Sequence, residues 1–189
     1  MIKNFLILLL SITFFVGCSS DTDEPAYTPA SVTVTHKTGA FYITQPVANL
    51  HYTTDTYDEY TNDEGEFKYR DGETISFSVA GVDLGSAEAR AFMTPLNLVP
   101  GSAAAEDSSA VSIAALLLSL DSGGISGVLS IDNAVSAYDF VSDFDISNPV
   151  DSLSLLTELS TNTGTEYTAV ETSYVQTILD FLSSSDSES

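Results

Sequence analysis

Apolar residues along this chain fall into three successive patterns. From Phe5 to Val16 they form a nearly unbroken run, preceded by Met1-Ile2-Lys3-Asn4 with one positive charge and followed by Gly17-Cys18. A positive start, an apolar stretch and small residues at its end are the plan of a signal peptide. The run is shorter than the roughly 20 residues that a membrane-spanning helix needs.

From about Ser31 the pattern changes to β-branched and aromatic residues broken by turn signals. Val32-Thr33-Val34-Thr35 and Ala40-Phe41-Tyr42-Ile43-Thr44 flank Lys37-Thr38-Gly39, read as a turn. Val47 to Thr54 is a further strand, with Val47, Leu50 and Tyr52 offered to a core. Asn62-Asp63-Glu64-Gly65 and Arg70-Asp71-Gly72 supply turn chemistry on either side of Glu66-Phe67-Lys68-Tyr69. Thr74 to Val79 alternates with period two, placing Ile75, Phe77 and Val79 on one face. Ala80-Gly81 turns the chain into Val82-Asp83-Leu84-Gly85, and Ala89 to Thr94 is read as the last strand.

After Pro95 and Pro100 the spacing becomes helical. Val111, Ile113, Leu116, Leu117 and Leu120 follow Ser108-Ser109, a natural cap, and precede Gly123-Gly124, a natural stop. Further helices are predicted over Ile131 to Val141, Pro149 to Leu159 and Val170 to Leu182. In the third of these four, Val150, Leu153, Leu156 and Leu159 are read as one side. The fold class expected is α+β, a small antiparallel β-sandwich or barrel followed by a helical segment packing on it. About 70 residues of β-structure are near the lower limit for a self-sufficient core. The Val111–Leu120 helix is therefore expected to bury Ile113, Leu116, Leu117 and Leu120 against the sheet. The organisation read from the chain is a signal peptide over 1–17, an acidic flexible tether over 18–30, a β domain over 31–98, a helical region over 99–182 and a disordered acidic tail over 183–189.

Cys18 is the one cysteine in the chain, so it serves no intrachain disulfide. Phe15-Val16-Gly17-Cys18 resembles the lipobox of bacterial lipoproteins, with Phe15 standing where Leu is usual. The resemblance implies diacylation of the Cys18 sulfur, cleavage before it, and a membrane contact made by lipid. The alternative is an ordinary secretory signal with an unrelated cysteine. Ser19-Ser20-Asp21-Thr22-Asp23-Glu24-Pro25 then reads as the tether.

Charge narrows the partners. Without Lys3, four basic residues (Lys37, Lys68, Arg70 and Arg90) face 27 acidic ones, a formal charge of −23. Nucleic-acid binding requires a basic footprint and is excluded as a class. An acidic surface also repels anionic membrane faces, which leaves the lipid as the expected membrane contact.

Two stretches carry a further resemblance. Pro46-Val47-Ala48-Asn49-Leu50-His51-Tyr52-Thr53-Thr54 and Thr61-Asn62-Asp63-Glu64-Gly65-Glu66-Phe67-Lys68-Tyr69 are continued by Gly72-Glu73-Thr74, Thr94-Pro95-Leu96 and Leu116-Leu117-Leu118-Ser119-Leu120-Asp121. This series resembles an opening found in bacterial surface and outer-membrane lipoproteins of mostly unassigned function. Their β part is similar to small prealbumin-like modules. The resemblance implies export, a lipid anchor at the outer membrane (periplasmic or surface face) of a Gram-negative bacterium, and a β-sandwich. It names no ligand.

Candidate chemistry is sparse. Such relatives often carry an acidic loop after the Leu-Asp close that suits calcium, whereas Asp121-Ser122-Gly123-Gly124 has lost most of those carboxylates. Asp139, Asp143 and Asp145, and the denser group Asp55, Asp58, Glu59, Asp63, Glu64 and Glu66, read first as solvated faces and second as cation sites. His36 and His51 are the two imidazoles, and neither sits in a nucleophile or metal motif. No catalytic residue and no metal ligand is assigned, and no cofactor is expected beyond the covalent lipid, with calcium the residual candidate. Tyr52, Tyr57, Tyr60 and Tyr69 are the candidate partner-binding residues, because surface tyrosines give contact area at low entropic cost. The competing reading places them in a tryptophan-free core. Three functions follow: a non-enzymatic binding or adhesion module for an unknown protein or polysaccharide, a structural or assembly accessory docking on another envelope protein, and a cation-dependent enzyme or sensor. An exposed tyrosine patch favours the first, an apolar groove among the helices the second, and converging carboxylates in a pocket the third.

Overall fold

Alternation between Thr74 and Val79 buries Ile75, Phe77 and Val79, while Thr74, Ser76 and Ser78 face outward to different degrees. The computed structural model, which describes residues 35–99, 108–140 and 143–186, arranges nine strands around such faces. In order they are β1 (Lys37–Phe41), β2 (Val47–Ala48), β3 (His51–Thr53), β4 (Asp58–Tyr60), β5 (Glu66–Tyr69), β6 (Thr74–Val79), β7 (Val82–Glu88) and β8 (Phe92–Met93), then β9 (Leu129–Ser130). The helices are α1 (Pro95–Leu98), α2 (Ser108–Ser119), α3 (Asn133–Ser136), α4 (Pro149–Thr163) and α5 (Thr172–Asp186). All described residues belong to one compact unit. The stretches expected to be signal peptide and tether, with Cys18, Val32–Val34 and the last three residues, lie outside the described ones.

The fold is α+β, as expected, with eight strands ahead of the helices and β9 between α2 and α3. The strands form three sheets, of which β2–β9 is a two-stranded pair; the two larger ones face each other, and no closed barrel forms among the described strands. One has the order β5-β1-β8 and the other β4-β3-β6-β7. Phe41 and Phe67 from the first meet Tyr52 and Phe77 from the second, with ring centroids 4.7 Å apart for Phe41–Phe77 and 5.5 Å for Phe67–Phe77. Ala80 and Gly81, at φ 51° and 77°, give the β6–β7 hairpin a two-residue turn whose twist matches its strands. Asn62 closes the β4–β5 turn by accepting from the N–H groups of Glu64 and Glu66.

Four expectations are corrected. Lys37-Thr38-Gly39 is not a turn but the start of β1. Gly39 is required there by space, since a Cβ would lie 2.5 Å from the Arg90 carbonyl and 2.6 Å from the Phe67 ring. Ala89–Thr94 is not the last strand: only Phe92–Met93 is extended and paired, parallel to β1, and β9 comes later, pairing parallel with β2. The helix expected over Ile131–Val141 shrinks to α3. The Ile131 N–H donates to the Ala48 carbonyl at one end, and the Phe140 N–H donates to the Ala80 carbonyl at the other. Both bonds tie the ends of this stretch down, one to β2 and the other to the β6–β7 turn. Finally, α5 continues to Asp186, into the stretch expected to lack structure.

The helical half shares its core with the sheets. Ile113, Leu116, Leu117 and Leu120 are at most 1 % exposed and lie in one continuous cluster with Phe41, Phe77 and Leu84. Leu155, Leu156 and Leu159 of α4 and Val175 and Leu179 of α5 complete that cluster. Asn148 caps α4 by accepting from the Val150 N–H, Pro149 fills its first position, and Gly164 ends it in the left-handed region at φ 75°. No helix of the described residues is long and apolar enough to cross a membrane.

Candidate functional site

Two depressions merit description, one on each half. The first lies where the β6–β7 turn meets α3, has a volume of about 320 Å³, and is walled by His51, Tyr60, Ser78, Tyr138 and Asp139. β3 pairs His51 with Ser78 on one side and with Tyr60 on the other. His51 Nδ1 is 2.8 Å from Ser78 Oγ, and Nε2 is 2.8 Å from Asp58 Oδ1. A carboxylate can only accept, so with a neutral imidazole the proton sits on Nε2 and Nδ1 accepts from the Ser78 hydroxyl. That is the connectivity of a nucleophile, a base and an orienting acid. Acyl transfer also needs donors aimed at a developing oxyanion. Ser78 lies in a strand flanked on both sides by β3 and β7, so the backbone N–H groups beside it run within the sheet rather than out of its face. The Asp58 side chain is also 79 % exposed, where water competes for it. The trio acts as a cross-strand polar ladder, and Tyr60 extends it by packing on the His51 ring and donating to the Ser136 carbonyl.

The second depression lies between α2 and α4 beneath the Ala169–Thr172 strap, and encloses about 170 Å³. Its lining is dominated by Ala115, Leu116, Leu153, Leu156, Pro149 and Val170. Ser119 holds the strap down, accepting from the Val170 N–H at 2.9 Å while its hydroxyl donates to the Ala115 carbonyl at 2.6 Å. Among the described residues, the buried Ser152 hydroxyl in the wall has no hydrogen-bond partner. The apolar surface continues outward over Val150 and Leu153, which are 64 % and 56 % exposed.

Those two residues were expected on the core side of α4 with Leu156 and Leu159. Each step of three residues turns back by about 60°, so Val150 and Leu159 end about 180° apart. Leu155, Leu156 and Leu159 take the buried face, and Val150, Leu153, Thr157 and Thr161 share the outer one. A helical projection of the sequence contains that signal.

The tyrosines divide. Tyr52 is 1 % exposed and Tyr69 5 %, so both belong to the core rather than to a binding surface. The Tyr52 hydroxyl donates to Glu59 and accepts from the Lys68 N–H, and burial, helped by the Glu59 charge, pushes its pKa up to about 12. Tyr57 is half-buried against the cluster, and Tyr60 is 46 % exposed in the first depression. They form no continuous patch.

The acidic groups are largely occupied locally. Asp121 accepts from the N–H groups of Gly123 and Ser130, closing its glycine-rich loop. Asp145 accepts from the Ser147 hydroxyl and N–H, which hold its carboxyl below the ordinary value. Glu59 pairs with Lys68. Hydrogen bonding to Glu158, aided by burial, raises the Tyr138 pKa. Among the described residues, no group of three His, Cys, Asp or Glu side chains converges as a metal site would require. Compared with protein-family models, with curated proteins and with solved structures, the chain matches none.

Proposed function

We propose that this chain is an acidic, lipid-anchored protein of the bacterial cell envelope, at the outer membrane of a Gram-negative bacterium, that works as a non-enzymatic binding module. Its binding surface is the helical half, which docks on another envelope protein. The anchor is supported by the signal-peptide plan ending at the lone Cys18. Docking rests on one observation: the apolar cleft between α2 and α4, continuous with exposed Val150 and Leu153. A second reading, a polysaccharide or other polymer bound by the β half, is supported by the groove at His51 and Tyr60. It draws less support from the tyrosines, two of which are core.

The Cys18→Ser protein should leave the membrane fraction and lose labelling by a radioactive fatty acid. Retention on membranes, together with an unlabelled parent protein, would show the anchor reading to be wrong. For docking, a photo-crosslinking residue at position 153 should give a discrete adduct in cells, and one at the open Gly72 turn should not. Equal, diffuse products from both positions would sink the docking reading.

A further inference from the structure

We infer that the α2–α4 cleft and the outer face of α4 receive a basic amphipathic helix presented by the partner, an inference that rests on the docking reading above. Shape comes first. The cleft lies between two helices, with Leu116 and Leu156 buried at its floor and Leu153 at its lip. Its 170 Å³ suits a single ring or branched side chain, since a cavity of about 150 Å³ holds benzene. From that lip the row Val150, Leu153, Thr157 and Thr161 runs along α4 with steps of three and four residues. At 1.5 Å per residue it extends about 16 Å, or three turns of a facing helix. A partner helix that inserts one large apolar residue in the cleft and lays its next two along this row satisfies the whole surface. The small hydroxyls of Thr157 and Thr161 donate to carbonyls of their own helix, so they offer methyl groups rather than unmet donors.

Charge settles the sign of the partner. Beyond Arg90 the chain has fourteen Asp and Glu and no Lys, Arg or His. Asp151 and Glu158 lie on α4, Glu166 on the segment that leads into the strap and Glu171 within it, so the carboxylates around the apolar row have no basic residue of the helical half to neutralise them. An acidic helix would add like charges across a surface that is losing water. A neutral one would leave those charges unanswered at the rim. Lysines or arginines flanking an apolar stripe meet them and keep their stems on apolar surface.

The test uses a synthetic peptide of about 15 residues, leucines on one helical face and lysines on the other, with one tryptophan among the leucines. The protein has no tryptophan, so the peptide's emission reports its own burial. Saturable one-to-one binding with a blue shift is expected at 0.1 M NaCl, weakening with added salt. The double variant Val150→Asp with Leu153→Asp should bind at least tenfold more weakly. Both sites are largely exposed, so an unchanged melting curve confirms the fold. The sign of this change is diagnostic, because two added carboxylates strengthen a purely Coulombic attraction and weaken apolar docking. The inference falls if a scrambled peptide of the same composition binds equally, if a leucine–glutamate peptide binds as well, or if the double variant binds as tightly as its parent. Should it fall while the position-153 crosslink in cells still gives a discrete adduct, the docking reading survives and only the partner chemistry is wrong.

Discussion

Replacing Thr61 by valine should damage this protein more than its isosteric, more apolar side chain suggests. Thr61 is 4 % exposed and its hydroxyl makes two bonds, donating to the Val47 carbonyl at 2.7 Å and accepting from the Leu50 N–H at 2.9 Å. Between those partners Asn49 sits at φ 60°, the sharp corner that separates β2 from β3. The Thr61 backbone joins the same corner, its carbonyl accepting from Asn49 and its N–H donating to Leu50. Valine keeps the volume and leaves two buried backbone groups unpaired, at about 1–3 kcal/mol each. The added methyl returns under about 1 kcal/mol. The net loss is about 3 kcal/mol, which lowers the melting temperature by about 6–12 °C in a chain of this size. Thr61→Ser keeps both bonds and removes one methyl, for about 1 kcal/mol. Urea unfolding of all three should rank threonine above serine above valine, with equal m-values. A valine variant within 0.5 kcal/mol of the parent, or above the serine variant, would refute the account of this corner.

Two other perturbations follow from local geometry. Burial pushes the Glu73 carboxyl up, but hydrogen bonds from the Thr56 hydroxyl and the Arg70 N–H outweigh it and hold the group below its ordinary value. A depressed folded pKa gives stability that is present above the unfolded value and is lost as pH falls through the folded one. The stability gap between parent and Glu73→Gln should thus be full at pH 7 and close on acidification below about pH 4, and a gap that widens in acid contradicts it. Gly39→Ala drives a Cβ into the Arg90 carbonyl and should cost about 1–3 kcal/mol by thermal melting, whereas Gly124→Ala, whose nearest neighbour would be 3.5 Å away, should stay within about 0.5 kcal/mol. Equal effects at the two glycines would show that the close approach at Gly39 is not real.

Where alternation and turn chemistry agree, as in Glu66–Tyr69 and Thr74–Val79, the sequence alone places the strand to the residue. It also places the buried face of α2, because that helix is apolar over most of its circumference and every register buries something. The misreadings have non-local causes. Asp58–Tyr60 looks like part of an acidic loop, yet it is an edge strand held by β3, whose far side is taken by β6. Ile131 has helical neighbours but is drawn straight by Ala48 of β2, 83 residues away along the chain. The His51–Ser78–Asp58 ladder has no sequence spacing to betray it, since cross-strand partners are set by register. The outer row of α4 was legible, and only the assumption that every third residue shares a face concealed it.

The parallel pairing of β2 with β9 also governs when the molecule can be completed. Pro46 and Ala48 find their partners in Leu129 and Ile131, and Asn49 bonds the Ile131 carbonyl and the Asn133 side chain as well. Closing a loop of some eighty residues costs about 4 kcal/mol of chain entropy before any contact repays it. Until the later strand reaches it, β2 has no β9 to pair with, and an unpaired strand edge is a template for other chains. Docking of residues 129–133 at this corner should therefore come late in folding, and crowding of unfolded chains should be most harmful before it.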